Sequence, residues 1–294
     1  LNPPLKIYNW IADFLIGRSQ CVKLQSICSA LAAISRSVVQ GSRIGPYLYI
    51  LLVRKLKTIS FHNKIDKYAD DTTLLVPQHS DISIETEFAH VQEWSLNNKL
   101  VINTSKTKEI IFWRSKKASS KYHLPLLNNI QRVNHVVLLG VTLESNLGWS
   151  IHINNILSQA MQRFYLLRQL KFMSMSGDAL DNVFTSLVLS RINYALPVFA
   201  HNLSKDDTNK INDLLRKSQK WGVNNESYPL FELSEQVNIQ PSIEILSPDH
   251  CLHHLIPPIR PTPSYAIRPN VHQFNTPQIE FDKLKNSLIH RNFT

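Results

Sequence analysis

Cysteine is scarce in this chain of 294 residues: Cys21, Cys28 and Cys251 are the whole complement. Three thiols cannot build a disulfide framework, so a cystine-stapled secreted scaffold is excluded; they point to a reducing compartment or to no redox role, and the expected setting is intracellular, nucleus or cytoplasm being left open. Long apolar runs are missing too. "YLYILLV", Tyr47 to Val53, is short and runs into Arg54, Lys55 and Lys57, so no membrane partner is expected. No secretory-signal pattern is visible and no internal repeat organises the chain. Acid is almost absent from residues 1–60, where Asp13 stands against eight Lys and Arg.

What is there instead is an uneven field. The formal net charge is +10. Residues 61–98 carry seven acids against two basic residues, and residues 99–132 carry eight basic residues against one acid. An acidic island thus lies between two basic blocks. Such blocks attract polyanions by releasing condensed counterions, although a solvated surface of uneven charge gives the same tally. Hydrophobic residues make up 43% of the chain, enough for a real core.

Periodicity divides the chain. "LKIYNWIADFLI", Leu5 to Ile16, has helical spacing; "QCVKL" reads as a strand. A loop with Gly41 and Gly45 leads into a helix whose face is marked by Ile44, Leu48, Leu51, Leu52 and Ile59. Around Asp70 the pattern is strand, tight turn, strand. A helix follows with Phe88, Val91, Gln92 and Trp94 near one side; "LVIN", "EIIFW" and "HVVLLGVTL" then read as extended. The spacing predicts one antiparallel sheet over residues 60–146, backed by the helices near 44–59 and 82–97. After Gly148 apolar residues recur at Ile153, Ile156, Leu157, Ala160, Phe164 and Leu167, and two more helices follow. Beyond Asn224 the pattern weakens, and six prolines make residues 255–277 an irregular linker. The fold class is therefore α+β.

"KYADDTTLLV", Lys67 to Val76, puts Asp70 and Asp71 side by side in the acidic island. Like charges that close repel unless water screens them on a hairpin tip or a divalent cation neutralises them. Either reading suits the pair alone. The cluster "DHCLHH", Asp249 to His254, lacks the second ligand pair that zinc needs and is rejected as a site.

Four stretches in one order break the tie. "VVQGSRIGP", "YADD", "NKLVINTSKTKEIIF" and "LLGVTL", followed by "WSIHINNILSQAMQRFYLLRQL" and "SLVLSRINYALPVF", resemble the reverse transcriptases of non-LTR (LINE-like, jockey/CR1-type) retrotransposons over residues 7–222. The resemblance implies an RNA-directed DNA polymerase that uses an RNA template, a DNA primer, deoxynucleoside triphosphates and two Mg²⁺ (or Mn²⁺) ions. By resemblance Asp70 is the direct metal ligand and Asp71 the supporting one. Tyr68 is placed on the face of Asp70 by strand period. Gln40, Gly41, Ser42 and Gly45 bind nucleotide or template, Lys106 serves the leaving pyrophosphate, and Leu139 and Gly140 form the primer grip. Read without the family, the glycine loop is a helix entry with Pro46 in its first turn, Lys106 is an exposed turn lysine, and Gly140 is a bulge.

The expected division is a partial palm over 1–146, a helical thumb over 147–222 and a weakly structured tail over 223–294. The family pattern places a further carboxylate on a strand before "NWIADFL", and the fingers before that. The chain starts too late for either, so it is expected to be a piece of a longer polyprotein, inactive in polymerisation by itself. Val39 stands where the family has Pro, and Arg54-Lys55 where it has Asn-Asp. The alternative is a nucleic-acid-binding remnant without chemistry.

Overall fold

A computed structural model describes residues 4–34, 41–113, 124–226, 228–259 and 274. It is α+β, with helices and short two-stranded sheets in two compact units, residues 1–103 and 104–294.

In the first unit α1 (Leu5–Leu15) begins after Pro4 and is followed by four two-residue strands, β1 (Ser19–Gln20), β2 (Lys23–Leu24), β3 (Ile27–Cys28) and β4 (Ala32–Ala33). They pair β1 with β4 and β2 with β3. Helix α2 (Gly45–Val53) starts at Gly45-Pro46, where the missing proline N–H costs no helical bond. Strands β5 (Lys64–Tyr68) and β6 (Asp71–Leu75) form a tight hairpin. Helix α3 (Ile84–Asn97) is capped by Ser83, whose hydroxyl accepts from Thr86 N, and Glu85 and Glu87 favour its positive N-terminal end. This unit buries little. No residue of α1 is buried, and the expected apolar face of α2 leaves Leu51, Leu52 and Ile59 exposed while Gly45 and Val53 are covered.

The second unit opens with β7 (Lys108–Ile110), paired in parallel with β8 (Gln131–Val133), and with the hairpin of β9 (His135–Leu138) and β10 (Val141–Glu144). Arg132 clasps Glu109 through two N–H groups at 2.8 and 3.2 Å, and Lys108 donates to Gln131 at 2.6 Å. The single antiparallel sheet expected over 60–146 is not formed. The described strands in that range pair two by two, one pair parallel, and 100–103 is not a strand. Alternation marks a strand but does not choose its partner, which is a non-local decision.

The helices carry the core. α4 (Ser150–Phe172) buries Ile153, Ile156, Ala160, Phe164 and Leu167 along one stripe. Against it pack α5 (Gly177–Phe184), a π turn at Thr185–Leu189, α6 (Ser190–Asn193), α7 (Leu196–Phe199), α8 (Lys205–Lys220) and α9 (Leu230–Ile245). Ser176 and Ser204 cap α5 and α8. Asp207 joins the starts of two helices, accepting from Ser150 Oγ at 2.9 Å and Ser204 Oγ at 2.7 Å. The run Gly177–Asn202 has the length and apolarity of a membrane-crossing helix, which corrects the expectation that no such run exists. Leu180, Phe184, Val188, Ile192, Leu196 and Phe199 are nevertheless spent on this core. Helix α9 is a further difference: it occupies sequence expected to be weakly structured, and Leu230 and Leu233 join the core. The Pro-rich stretch falls largely outside the described residues.

Candidate active site

The β5–β6 ladder runs from Lys64 opposite Leu75 to Tyr68 opposite Asp71, which leaves Ala69 and Asp70 as a two-residue tip. Ala69 has φ +50°, a region an alanine adopts at a cost of order 1–3 kcal/mol. Asp70 and Asp71 are both exposed, and Tyr68 is 67% exposed. Tyr68 shares its face with Asp71, its partner across the ladder, and with Asp66, two residues back along the strand. This corrects the placement of Tyr68 with Asp70. The strand period of two ends where the tip begins, and Asp70 belongs to the tip.

The other face anchors the hairpin. Lys67 reaches the end of α2 and the turn after it, donating to Val53 O at 2.7 Å and Leu56 O at 2.5 Å. Burial, and then the charge of Lys57, lowers the pKa of its ammonium. Tyr49 on α2 lies in the field of Asp70: burial first, and that carboxylate second, raise the phenol above its ordinary range. The loop entering β5 is held by Glu87, which is completely buried. Its carboxylate accepts from Ile59 N at 3.0 Å, Ser60 N at 2.9 Å and Asn63 Nδ2 at 2.8 Å. Burial opposes ionisation, but these donors outweigh it, and the pKa is lowered.

The loop before α2 has Gly41 at φ +83° with open space where a side chain would stand, so backbone is accessible there. Ser42 Oγ accepts from Gly45 N at 3.1 Å and thereby holds the helix entry. Gln40 lies outside the described residues.

In the second unit Lys106 is exposed on the turn before β7. Leu139 and Gly140 are the two-residue tip between β9 and β10, with φ +47° and +82°. Left-handed φ at both central positions suits a type I′ turn, one of the two that match the twist of right-twisted hairpin strands. Tyr194 fastens this tip, its hydroxyl donating to Leu139 O at 2.6 Å. A Cβ added to Gly140 would stand 3.2 Å from the Tyr194 ring.

Among the described residues no group of three or more His, Cys, Asp and Glu side chains is arranged to hold a metal ion. The Asp249–His254 stretch is occupied locally, with His250 accepting from Leu252 N and His253 and His254 bonded to Ile245 O and Cys251 O. Glu87, Lys67, Tyr49 and Tyr194 escaped the sequence reading, since nothing local marks a side chain whose partners lie 11 to 55 residues away.

Residues 3–143 match the family described as reverse transcriptase (RNA-dependent DNA polymerase). The chain is 26% identical over 234 residues to the RNA-directed DNA polymerase from mobile element jockey of Drosophila melanogaster, covering 74% of this chain and 25% of that protein. It is 24% identical over 186 residues to the probable RNA-directed DNA polymerase from transposon X-element of the same organism, covering 59% and 20%. The chain therefore spans about a quarter or less of the length of these relatives. No solved structure matches.

Proposed function

We propose, from the premise that residues 3–143 are a reverse transcriptase domain segment of the non-LTR retrotransposon kind, that the chain carries the catalytic hairpin and primer-holding elements of an RNA-directed DNA polymerase. The observation that carries this is the β5–β6 tip, where Asp70 and Asp71 stand exposed beside Tyr68 in the family's motif order. The substrates are an RNA template, a DNA primer and deoxynucleoside triphosphates. The working division is a palm over 1–146 and a thumb over 147–222.

Extension is attack of a primer 3′-hydroxyl on the α-phosphorus, with pyrophosphate leaving. Two adjacent carboxylates suit a hard divalent cation in kind. In number they fall short, because no third ligand joins them among the described residues. Were Asp70 and Asp71 to hold Mg²⁺ or Mn²⁺, the ion would supply stabilisation of the attacking and leaving oxygens. In this reading Asp70 is the direct ligand and Asp71 the supporting one. Gln40, Gly41, Ser42, Gly45 and Tyr68 position template and nucleotide, Lys106 neutralises the pyrophosphate, and the Leu139–Gly140 tip holds the primer strand.

The same shortfall supports a second reading, nucleic-acid binding without chemistry by this chain alone. Removing one transition-state donor typically costs about 10²–10³ in rate, and an incomplete ligand set weakens stabilisation of the same kind. Primer extension on an RNA template, with Mg²⁺ and then Mn²⁺, separates the readings. The expected result for the chain alone is no product from either the parent or Asp70→Asn. Extension by the parent that Asp70→Asn abolishes overturns the expectation and means that another acid, Asp13 or Asp66, completes the set.

A further inference from the structure

Between the β9–β10 hairpin and the helices of the second unit lies a cavity of about 150 Å³ whose polar lining comes from Thr142, His152, Asn155, Gln159, Arg191 and Tyr194. His152 is the unusual member. It is 4% exposed, and its Nδ1 accepts from Thr142 N at 3.3 Å. A ring whose Nδ1 accepts carries its proton on Nε2 when neutral, and burial lowers the pKa of His152 so that the neutral ring is favoured. That Nε2 is buried and has no hydrogen-bond partner. Buried donors are almost always satisfied, so an orphaned one beside a cavity points to an acceptor from outside the chain.

The rest of the lining says which acceptor. Arg191 makes no ion pair among the described residues. Asn155 and Gln159 add amide donors, and no carboxylate lines the cavity. The acids near the start of α4 are engaged elsewhere: Glu144 accepts from Ile151 N at 2.8 Å, and Asp207 from Ser150 and Ser204. His152 lies in the first turn of a 23-residue helix, whose positive end favours a negative guest. Both a guanidinium and oriented N–H donors match tetrahedral oxyanions.

We infer that this cavity is a phosphate site, in which a phosphate oxygen accepts from His152 Nε2–H while Arg191 pairs with the charge. The phosphate comes either from free inorganic phosphate or from a nucleic-acid backbone. The first source stands independently of the polymerase reading. The second rests on it, since Gly140 of the proposed primer grip also borders the cavity.

The test uses the full chain and follows the His152 imidazole by ¹⁵N NMR during titration with inorganic phosphate and, separately, with an oligonucleotide lacking terminal phosphates. The expected result is a shift of the Nε2–H resonance. Arg191→Gln, a change at an exposed position that leaves the core intact, should weaken the response about tenfold. Response to phosphate alone supports a free-anion site, and response to both supports a site for the strand. No movement of His152 with either probe, or equal affinity in Arg191→Gln, overturns the inference and leaves a cavity that holds only water. Inorganic phosphate reports on the cavity whether or not primer extension occurs, so loss of the polymerase reading and loss of this one are separable.

Discussion

Glu87→Ala tests the account of how the β5–β6 hairpin is held. The substitution removes the acceptor shared by Ile59 N, Ser60 N and Asn63 Nδ2. Ile59 is half exposed and its amide recovers water. Ser60 and Asn63 are each only 3% exposed, so their donors are left dry. A buried unsatisfied donor costs about 1–3 kcal/mol, and two that share one carboxylate do not add fully, so a loss of about 3 kcal/mol is expected. Such a loss raises the opening equilibrium of the first unit roughly 10²-fold. Glu87→Gln keeps Oε1 for Ser60 and Asn63 and sets an amide against Ile59 N–H, where solvent can intervene; it should cost about 1 kcal/mol. Native-state hydrogen exchange at the β5–β6 ladder amides reads the local opening even where the two units unfold separately. An Ala variant losing less than about 0.5 kcal/mol, or a Gln variant as damaged as Ala, refutes the reasoning.

Four further outcomes follow from the same structure. Ala69→Gly should leave the hairpin intact or slightly more stable, since glycine carries no penalty at φ +50°, while Ala69→Val should unpair the tip, as ladder exchange will show. Phe164→Ala, at a 2% exposed core position, should destabilise the helical unit by about 3–5 kcal/mol in urea titration. The pKa of His152 is depressed by burial below its ordinary 6.5, so the unfolded chain binds its proton first; the stability of the second unit should fall as pH drops below about 6.5, less steeply in His152→Gln. Primer–template binding should weaken steeply with salt as the block containing Lys99, Lys106, Lys108, Arg114, Lys116, Lys117 and Lys121 releases counterions; the last four lie outside the described residues, and salt-independent binding would count against the block.

By itself the sequence determined whatever depends on neighbours along the chain. The α4 stripe, the Ser83, Ser176 and Ser204 caps, and the tight turns at Ala69-Asp70 and Leu139-Gly140 are each specified within a few residues. Motif order, also a linear property, sufficed to show the resemblance to reverse transcriptases that the match over residues 3–143 bears out. Tertiary structure alone decided what depends on distant groups. Strand alternation did not say that β7 pairs in parallel with β8 or that the sheets stay two-stranded. Nothing near Glu87 announced donors 24 to 28 residues away, and nothing in "SRINY" told that Tyr194 would lock a turn 55 residues back. Even the face of Tyr68 was a matter of register, because a two-residue tip interrupts the strand period and sets Tyr68 across from Asp71. Periodicity and capping are short-range and legible along the chain, whereas hydrogen-bond partners and burial are settled only when remote segments meet.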